Sequence, residues 1–252
     1  MLPERRGIFK YGECDVVFSI KDGHARYGDK TVFENFNWTI HRGECWALHG
    51  PNGSGKSLLL SMVCADNPQG YANDITLFDR RRGTGESIWE IKDAIGYVCP
   101  EMQLYFKSND SVREIIIQGM RNSLNRYRKS TTEENEVADE WMKILEIGHL
   151  ADRKFSELSS GEQRLVMVAR ALAKQPELMV LDEPLHGLDR EHKKRIMSII
   201  SELAKKNGAS LIFVSHYLEE VPECVKFWKE IGDRAFQNNG SHRGHTEGKK
   251  IF

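Results

Sequence analysis

The segment Gly50-Pro-Asn-Gly-Ser-Gly-Lys-Ser57 constrains the fold of this chain more than any other part of its sequence. It matches the pattern G-x-x-x-x-G-K-[ST] in full, and it stands between two apolar runs, residues 45–48 and 58–64. Glycines let backbone N–H groups turn inward around phosphate oxygens, and a loop that opens a helix favours anions at its end. The order of strand, loop and helix therefore predicts a phosphate-binding loop, rather than a glycine-rich turn with a chance lysine.

The residues of this loop have separate expected roles. Lys56 is expected to reach the β- and γ-phosphates of a nucleotide, and the Ser57 hydroxyl is expected to bind Mg²⁺. The remaining positions are expected to surround the phosphates: Gly50, Pro51, Asn52, Gly53, Ser54 and Gly55.

A second apolar run, residues 178–181, ends in the two carboxylates Asp182 and Glu183. Asp182 is predicted to hold Mg²⁺, directly or through water, beside Ser57. Glu183 is predicted to lie near the γ-phosphate and to polarise the attacking water. Acidic residues also end strands simply because they are solvated, but a complete phosphate loop in the same chain favours the metal site.

Short apolar runs at residues 95–98, 178–181 and 211–214 alternate with helical patterns, which predicts an α/β fold with a parallel sheet. Residues 15–20 and 37–40 predict a small antiparallel β part near the N-terminus. The interval from about 101 to 172 is charged and reads as helices, so we expect an inserted helical lobe there. Residues 1–231 are expected to form one domain, and residues 232–252 a flexible tail.

Composition excludes some functions. The chain has 36 Lys and Arg against 37 Asp and Glu, a net charge of −1, which argues against nucleic-acid binding by bulk electrostatics. No apolar run approaches the roughly 20 residues that span a bilayer. The five cysteines are scattered and lack metal-site spacing, which indicates a reducing compartment, the cytoplasm.

The segment Leu158-Ser-Ser-Gly-Glu162, followed by Arg164, resembles the signature of ATP-binding cassette (ABC) ATPases in its Leu-Ser-x-Gly-Glu form. Ser159 and Glu162 also have the spacing of a capping box, so these two residues alone indicate only the start of a helix. A capping box alone does not explain why a glycine stands at position 161. A phosphate loop together with this signature is highly specific for the ABC family.

The resemblance implies an Mg²⁺-dependent ATPase on a P-loop NTPase fold, with ATP and Mg²⁺ as cofactors. Tyr27 matches the aromatic residue that stacks on adenine, although an aromatic residue at a strand end can also be simple packing. Asp189 matches the D-loop, and His216 matches the switch histidine that bonds the γ-phosphate. The alternative for His216 is an ordinary surface histidine.

In the family, Ser159, Gly161 and Glu162 belong to a helix start that faces the γ-phosphate held by the opposite subunit. The resemblance therefore implies a head-to-tail dimer, with a second cassette as partner. One position departs from the family pattern, because Pro100 stands where transporter cassettes usually have a glutamine. Glu101 or Gln103 could replace it by a local shift, and ordinary coupling to a membrane permease is in doubt.

Residues 66–91 resemble the second cassette of the molybdate-transport-associated, or photorepair-type, proteins, which have two cassettes in one chain. This resemblance implies the ATP-binding component of an ABC transporter for molybdate or a related oxyanion. Such a component would be cytoplasmic, and peripheral on the inner face of the membrane through permease subunits. The alternative is a soluble, non-transport ABC ATPase that acts as a nucleotide switch in repair or regulation. The signature excludes a P-loop kinase.

Overall fold

The computed structural model describes residue 11 and residues 13–106, 108–121 and 129–232. The predicted tail, apart from Gly232, lies outside the described residues. The strands are β1 (Val16–Tyr27), β2 (Lys30–His41), β3 (Cys45–His49), β4 (Asp74–Leu77), β5 (Arg80–Arg81), β6 (Ile95–Val98), β7 (Leu178–Asp182), β8 (Ser210–Val214) and β9 (Phe227–Glu230). The α-helices are α1 (Lys56–Val63), α2 (Ile88–Ala94), α3 (Pro100–Tyr105), α4 (Val112–Met120), α5 (Thr132–Ile144), α6 (Ser160–Ala173) and α7 (Arg190–Asn207).

A five-stranded parallel sheet forms the centre of the fold, with the strand order β6-β7-β8-β3-β9. Strands β3, β6 and β7 are each followed by a helix in the sequence. Parallel strands that are neighbours in a sheet need a crossover connection of this kind. The predicted α/β class and parallel core are confirmed.

The two faces of this sheet bury different sets of side chains. In β7, Met179 and Leu181 pack into the cluster formed with α4, α5, α6 and α7. Leu178 and Val180 face the opposite cluster, which contains α1 and the N-terminal strands. All four are completely buried, as expected for a central strand with apolar layers on both faces.

The second sheet is antiparallel, in the order β2-β1-β4-β5, and confirms the predicted N-terminal β part. Its first two strands are 12 residues each, much longer than the runs predicted from hydrophobicity. Aromatic rings connect the two sheets: Trp46 of β3 lies between Trp38 of β2, at 5.7 Å, and Phe227 of β9, at 4.9 Å. The edge-to-face contact between Trp38 and Trp46 joins the antiparallel sheet to β3, the strand that leads into the phosphate loop.

Helices α3 to α6 occupy the chain between β6 and β7, and they pack around the fully buried Trp141. Helices α4 and α6 approach closely at Gly119, where a Cβ atom would lie 2.3 Å from the carbonyl oxygen of Arg170. Only a residue without a side chain allows the two backbones to come this near. This contact fixes the orientation of α6, whose N-terminus holds the signature segment.

We expect Gly119→Ala to destabilise the protein by about 1–3 kcal/mol, because the new methyl group must push α4 away from α6. The loss should exceed the helix-propensity gain of about 1 kcal/mol that alanine brings. Urea unfolding measures the difference. Gly148→Ala is the matched control, since a Cβ there meets nothing within 4 Å; equal stabilities for the two variants would contradict the close approach.

Candidate functional site

The phosphate loop lies between β3 and α1, and two of its glycines have no acceptable substitute. Gly50 has φ 152° and Gly55 has φ 100°, both in the region that side chains disfavour. A Cβ on Gly50 would lie 2.2 Å from the Ile231 carbonyl oxygen, and one on Gly55 would lie 2.5 Å from a methyl group of Val32. The glycine pattern thus reflects both backbone conformation and the elements that close around the loop.

Two side chains of the loop, Lys56 and Ser54, have settings that bear on the kind of ligand it would bind. The Lys56 ammonium curls over the loop and donates to the carbonyl oxygens of Gly50, at 2.7 Å, and Pro51, at 3.0 Å. The Ser54 hydroxyl is buried and has no hydrogen-bond partner among the described residues. A buried hydroxyl without a partner is costly. Both observations fit a loop that receives an oxygen-rich anion.

Ser57 and Asp182 lie together although 125 residues separate them in the sequence. The Ser57 hydroxyl donates to Oδ2 of Asp182 at 3.1 Å. A hydroxyl and a carboxylate are hard oxygen ligands of the kind that Mg²⁺ takes beside substrate phosphates. The donor set therefore fits the metal expected from the sequence.

Glu183 follows Asp182 with an unusual backbone, since its φ is 46°. Its N–H still donates to the Val214 carbonyl oxygen at 3.0 Å, which fixes the turn against β8. The side chain meets His216, whose Nε2 lies 2.9 Å from Oε1 of Glu183. A non-glycine residue in this conformation costs on the order of 1–3 kcal/mol, a strain that is frequent at functional sites.

Negative charge dominates this edge of the sheet. Burial raises the pKa of Asp182 to about 6, the charges of Glu183 and Glu101 raise it as well, and the Ser57 hydrogen bond and Lys56 oppose the rise. Burial lowers the pKa of Lys56, against the attraction of Asp182 and Glu183. The carboxylates therefore exceed the cationic charge near them, which favours the binding of a cation.

The signature residues form a separate group with local hydrogen bonds. Ser159 caps α6, and its N–H and hydroxyl both donate to Oε2 of Glu162, at 2.7 Å and 2.8 Å. The Ser159 hydroxyl and N–H hold the pKa of Glu162 below its usual value. Gly161 lies against the D-loop segment, because a Cβ there would be 3.6 Å from the Gly187 carbonyl oxygen.

Asp189 belongs to this second group and caps α7. Its Oδ1 accepts from the N–H groups of Glu191 and His192, and its Oδ2 lies 2.5 Å from Nδ1 of His192. The N–H and the ring of His192 lower the pKa of Asp189 to about 2. The signature and the D-loop thus lie side by side within one chain, with their carboxylates engaged in local caps.

Tyr27, Pro100, Glu101 and Gln103 are the remaining predicted positions. Tyr27 ends β1 and is 82% exposed, so its ring is not part of the core. Pro100 begins α3, directly after Cys99. Glu101 lies near enough to raise the pKa of Asp182, whereas the side chain of Gln103 lies outside the described residues.

Arg164 is a residue whose setting the sequence did not predict. It lies in α6 and is 5% exposed, and its Nε and Nη1 have no hydrogen-bond partner in the described part of the chain. Burial lowers its pKa, while Cys99, Glu183, Asp182 and Glu101 oppose that shift. The sequence feature that could have indicated this burial is a charged residue beside the apolar positions of a helix.

Comparison with known proteins decides the family. The profile of the family described as "ABC transporter" matches residues 33–186, which is more than half of the chain. The chain belongs to this family of ATP-binding cassettes. It is an ATP-binding component of an ABC system, and the family resemblance inferred from the signature is confirmed.

Two curated relatives show how far the likeness extends. ModF of Escherichia coli, an ABC transporter ATP-binding protein, is 42% identical over 224 residues, which is 88% of this cassette and 45% of ModF. YlmA of Bacillus subtilis, an ABC transporter ATP-binding protein, is 32% identical over 211 residues, with 82% of this cassette and 78% of YlmA covered. The chain therefore spans less than half the length of ModF.

Solved structures support the fold. The cassette MJ0796, in a dimeric post-hydrolysis state bound to ADP and Pi, superposes with a TM-score of 0.73 at 24% identity, covering 85% of this chain and 94% of MJ0796. At that identity the likeness establishes the cassette fold alone. Within the described residues, no helix combines the length and the apolar character that crossing a membrane requires.

Asp182 should give the stability of the protein a measurable pH dependence. Because its pKa rises from 3.8 to about 6 on folding, the folded state holds the proton more tightly than the unfolded state. The stabilisation by the protonated form is complete below the unfolded value, and it is lost as the pH rises through about 6. Asp182→Asn cannot ionise, so its advantage over the parent should grow by about 2–4 kcal/mol between about pH 4 and pH 7.

Chemical denaturation at several pH values measures this difference. The exposed Asp152→Asn is the control and should follow the parent at every pH. A constant difference between Asp182→Asn and the parent would show that the carboxyl is not perturbed by burial.

Proposed function

We propose that this cassette binds ATP with Mg²⁺ and hydrolyses it as one half of a head-to-tail pair of cassettes. The observation that carries the proposal is the meeting of three chain segments at one sheet edge: Ser57 bonds Asp182, and Glu183 contacts His216. This is the set of groups that metal-assisted phosphoryl transfer to water requires. We further propose that residues 1–231 constitute one cassette and that residues 101–172 form its helical lobe.

The residues of the loop edge would divide the work of binding. The backbone from Gly50 to Gly55 would surround the phosphates, and Lys56 would leave the loop carbonyls to meet the β- and γ-phosphates. Ser57 and Asp182 would hold Mg²⁺, which supplies neutralisation of phosphate charge. The exposed ring of Tyr27 would stack on adenine.

Glu183 would accept a proton from the attacking water, and His216 would bond the γ-phosphate. The contact between His216 Nε2 and Glu183 Oε1, at 2.9 Å, keeps the two side chains together after the ends of β7 and β8. The side chain of Glu183 is 28% exposed, and its backbone lies in the strained turn after β7.

A second cassette would complete each site. Gly161 lies beside the D-loop, Ser159 and Glu162 cap the start of α6, and this helix start would face a nucleotide held by another subunit. A helix N-terminus stabilises anions. MJ0796 has been solved as a dimer, which supports this arrangement.

Lys56→Ala should abolish nucleotide binding, because it removes the cation that meets the phosphates. Equilibrium titration with a fluorescent ATP analogue measures the effect, and the expected loss of affinity is at least about a hundredfold. Lys194→Ala, on the exposed face of α7, is the control and should bind normally. Unchanged affinity for Lys56→Ala would remove the loop from its assigned role.

Glu183→Gln should bind ATP like the parent but hydrolyse it more slowly by about a thousandfold, because an amide cannot accept the proton of water. Phosphate release under single-turnover conditions separates this loss from a binding defect. Omission of Mg²⁺ should stop turnover in the parent as well. Turnover of Glu183→Gln at the parent rate would show that another group activates the water.

We propose that the paired cassettes drive an ABC transporter for molybdate or a related oxyanion, through permease subunits on the inner face of the membrane. The name of ModF supports a transporter-type component but names no substrate. A soluble ATPase that acts as a nucleotide switch is the second candidate. Pro100 favours it, since the loop that meets a permease lacks its usual glutamine.

Tagged Glu183→Gln protein, loaded with Mg²⁺ and ATP, distinguishes these candidates when it is added to solubilised native membranes and cytosol. The double variant Lys56→Ala/Glu183→Gln is the matched control, because it should not load nucleotide. A multi-span membrane protein recovered in stoichiometric amount with the loaded variant alone would support the transporter. Recovery of the cassette by itself, or of soluble partners, would support the switch.

A further inference from the structure

A buried carboxylate joins the loop that contains His216 to the helix that follows the D-loop. Glu220 exposes only 9% of its surface. Its Oε1 accepts from Nζ of Lys193 at 2.7 Å, and its Oε2 accepts from the Ser215 hydroxyl at 2.9 Å. None of these three residues belongs to the site assigned above.

Each partner of Glu220 is attached directly to a site residue. Ser215 precedes His216, and its hydroxyl also accepts from the N–H of Tyr217 at 3.1 Å, so one oxygen holds the turn on both sides of the histidine. The N–H of Lys193 donates to the Asp189 carbonyl oxygen at 3.0 Å. A continuous series of bonds therefore runs from Asp189 through Glu220 to His216.

The hydrogen bonds of this series are strong enough to hold the His216 turn and α7 in a fixed relative position. Hydrogen bonds in which one or both groups are charged are about twice as strong as neutral ones, and a mostly buried carboxylate that loses a partner leaves an uncompensated charge. Both oxygens of Glu220 are engaged, and the contact with Lys193 spans 27 residues of sequence. Its neighbour Glu219 is exposed in the same short helical turn, Leu218–Glu220.

We infer that Glu220 is a positioning residue for the hydrolysis proposed above, and the inference rests on that proposed function. Glu220 fixes the His216 turn relative to the start of α7, so that His216 meets the γ-phosphate only when the D-loop has the matching position. The contact between Glu183 and His216 carries the same constraint to the base. Glu220 itself touches neither nucleotide nor water in this role.

The test compares Glu220→Gln with Glu219→Gln in the complete protein. A glutamine that still accepts from Lys193 presents an NH₂ group to Ser215, so the Ser215 hydroxyl must accept where it now donates. The bond to the hydroxyl is then no longer charge-assisted, and the turn loosens. We expect kcat for ATP to fall by about tenfold while the dissociation constant for the ATP analogue stays within about twofold. Glu219→Gln should match the parent in both.

Lys193→Gln removes the other end of the link, with the exposed Lys194→Gln as its control. It should lower kcat to a similar extent, and the double variant Lys193→Gln/Glu220→Gln should lose little more than either single variant, because the residues act as one unit. A merely structural role would lower the unfolding temperature and leave kcat of the folded protein unchanged. Lys193→Gln also provides the result if Glu220→Gln fails to fold.

The outcomes separate the two proposals. A parent protein that hydrolyses no ATP would overturn the proposed function and this inference with it. A parent that hydrolyses ATP, with Glu220→Gln and Lys193→Gln equal to their controls in kcat, would overturn the inference alone. Independent, multiplicative losses in the double variant would also contradict it.

Discussion

The register of the central parallel sheet is the constraint on which the site depends. Ala47 of β3 pairs with Phe213 of β8, which pairs in turn with Leu181 of β7. Neighbouring strands lie roughly 4.8 Å apart, and their carboxyl ends meet at one edge. The phosphate loop, the two carboxylates and the histidine each begin within three residues of this row. Their proximity is a consequence of strand pairing rather than of contacts between the side chains themselves.

Hydrophobic pattern was sufficient for the central strands because both of their faces are buried. The runs at residues 95–98, 178–181 and 211–214 match β6, β7 and β8 to within one residue at either end. It found only the start of β1 and the end of β2, since the hairpin is irregular between Ile20 and Arg26 and its middle is polar, so no alternation survives there. Strand β9 was missed as well, because its exposed Trp228 and Glu230 make an edge strand resemble a loop.

The motifs predicted which residues would assemble, but not how they bond. The pairs Ser57–Asp182 and Glu183–His216 join segments that are remote in sequence, and nothing in the sequence gives their distances. The bridge through Glu220 was not predicted for a related reason. Its three members have no distinctive spacing, and only the packing of α7 against the turn after β8 brings them together.

Several locally unfavourable features occur at this same edge. Asp182 is buried among like charges, Glu183 has a positive φ, and Arg164 and Ser54 have polar atoms without partners in the described structure. Each lowers the stability of the isolated chain, and such conflicts between local preference and fold are expected where a ligand supplies the missing interactions. An anion on the loop and a cation between Ser57 and Asp182 would relieve most of them. The charges of Arg164 and Glu101 couple the helical segment to Asp182 and Glu183. Pro100 has no amide side chain, so this coupling is electrostatic, and electrostatics acts over a longer distance than a hydrogen bond and demands less exact placement of the partner.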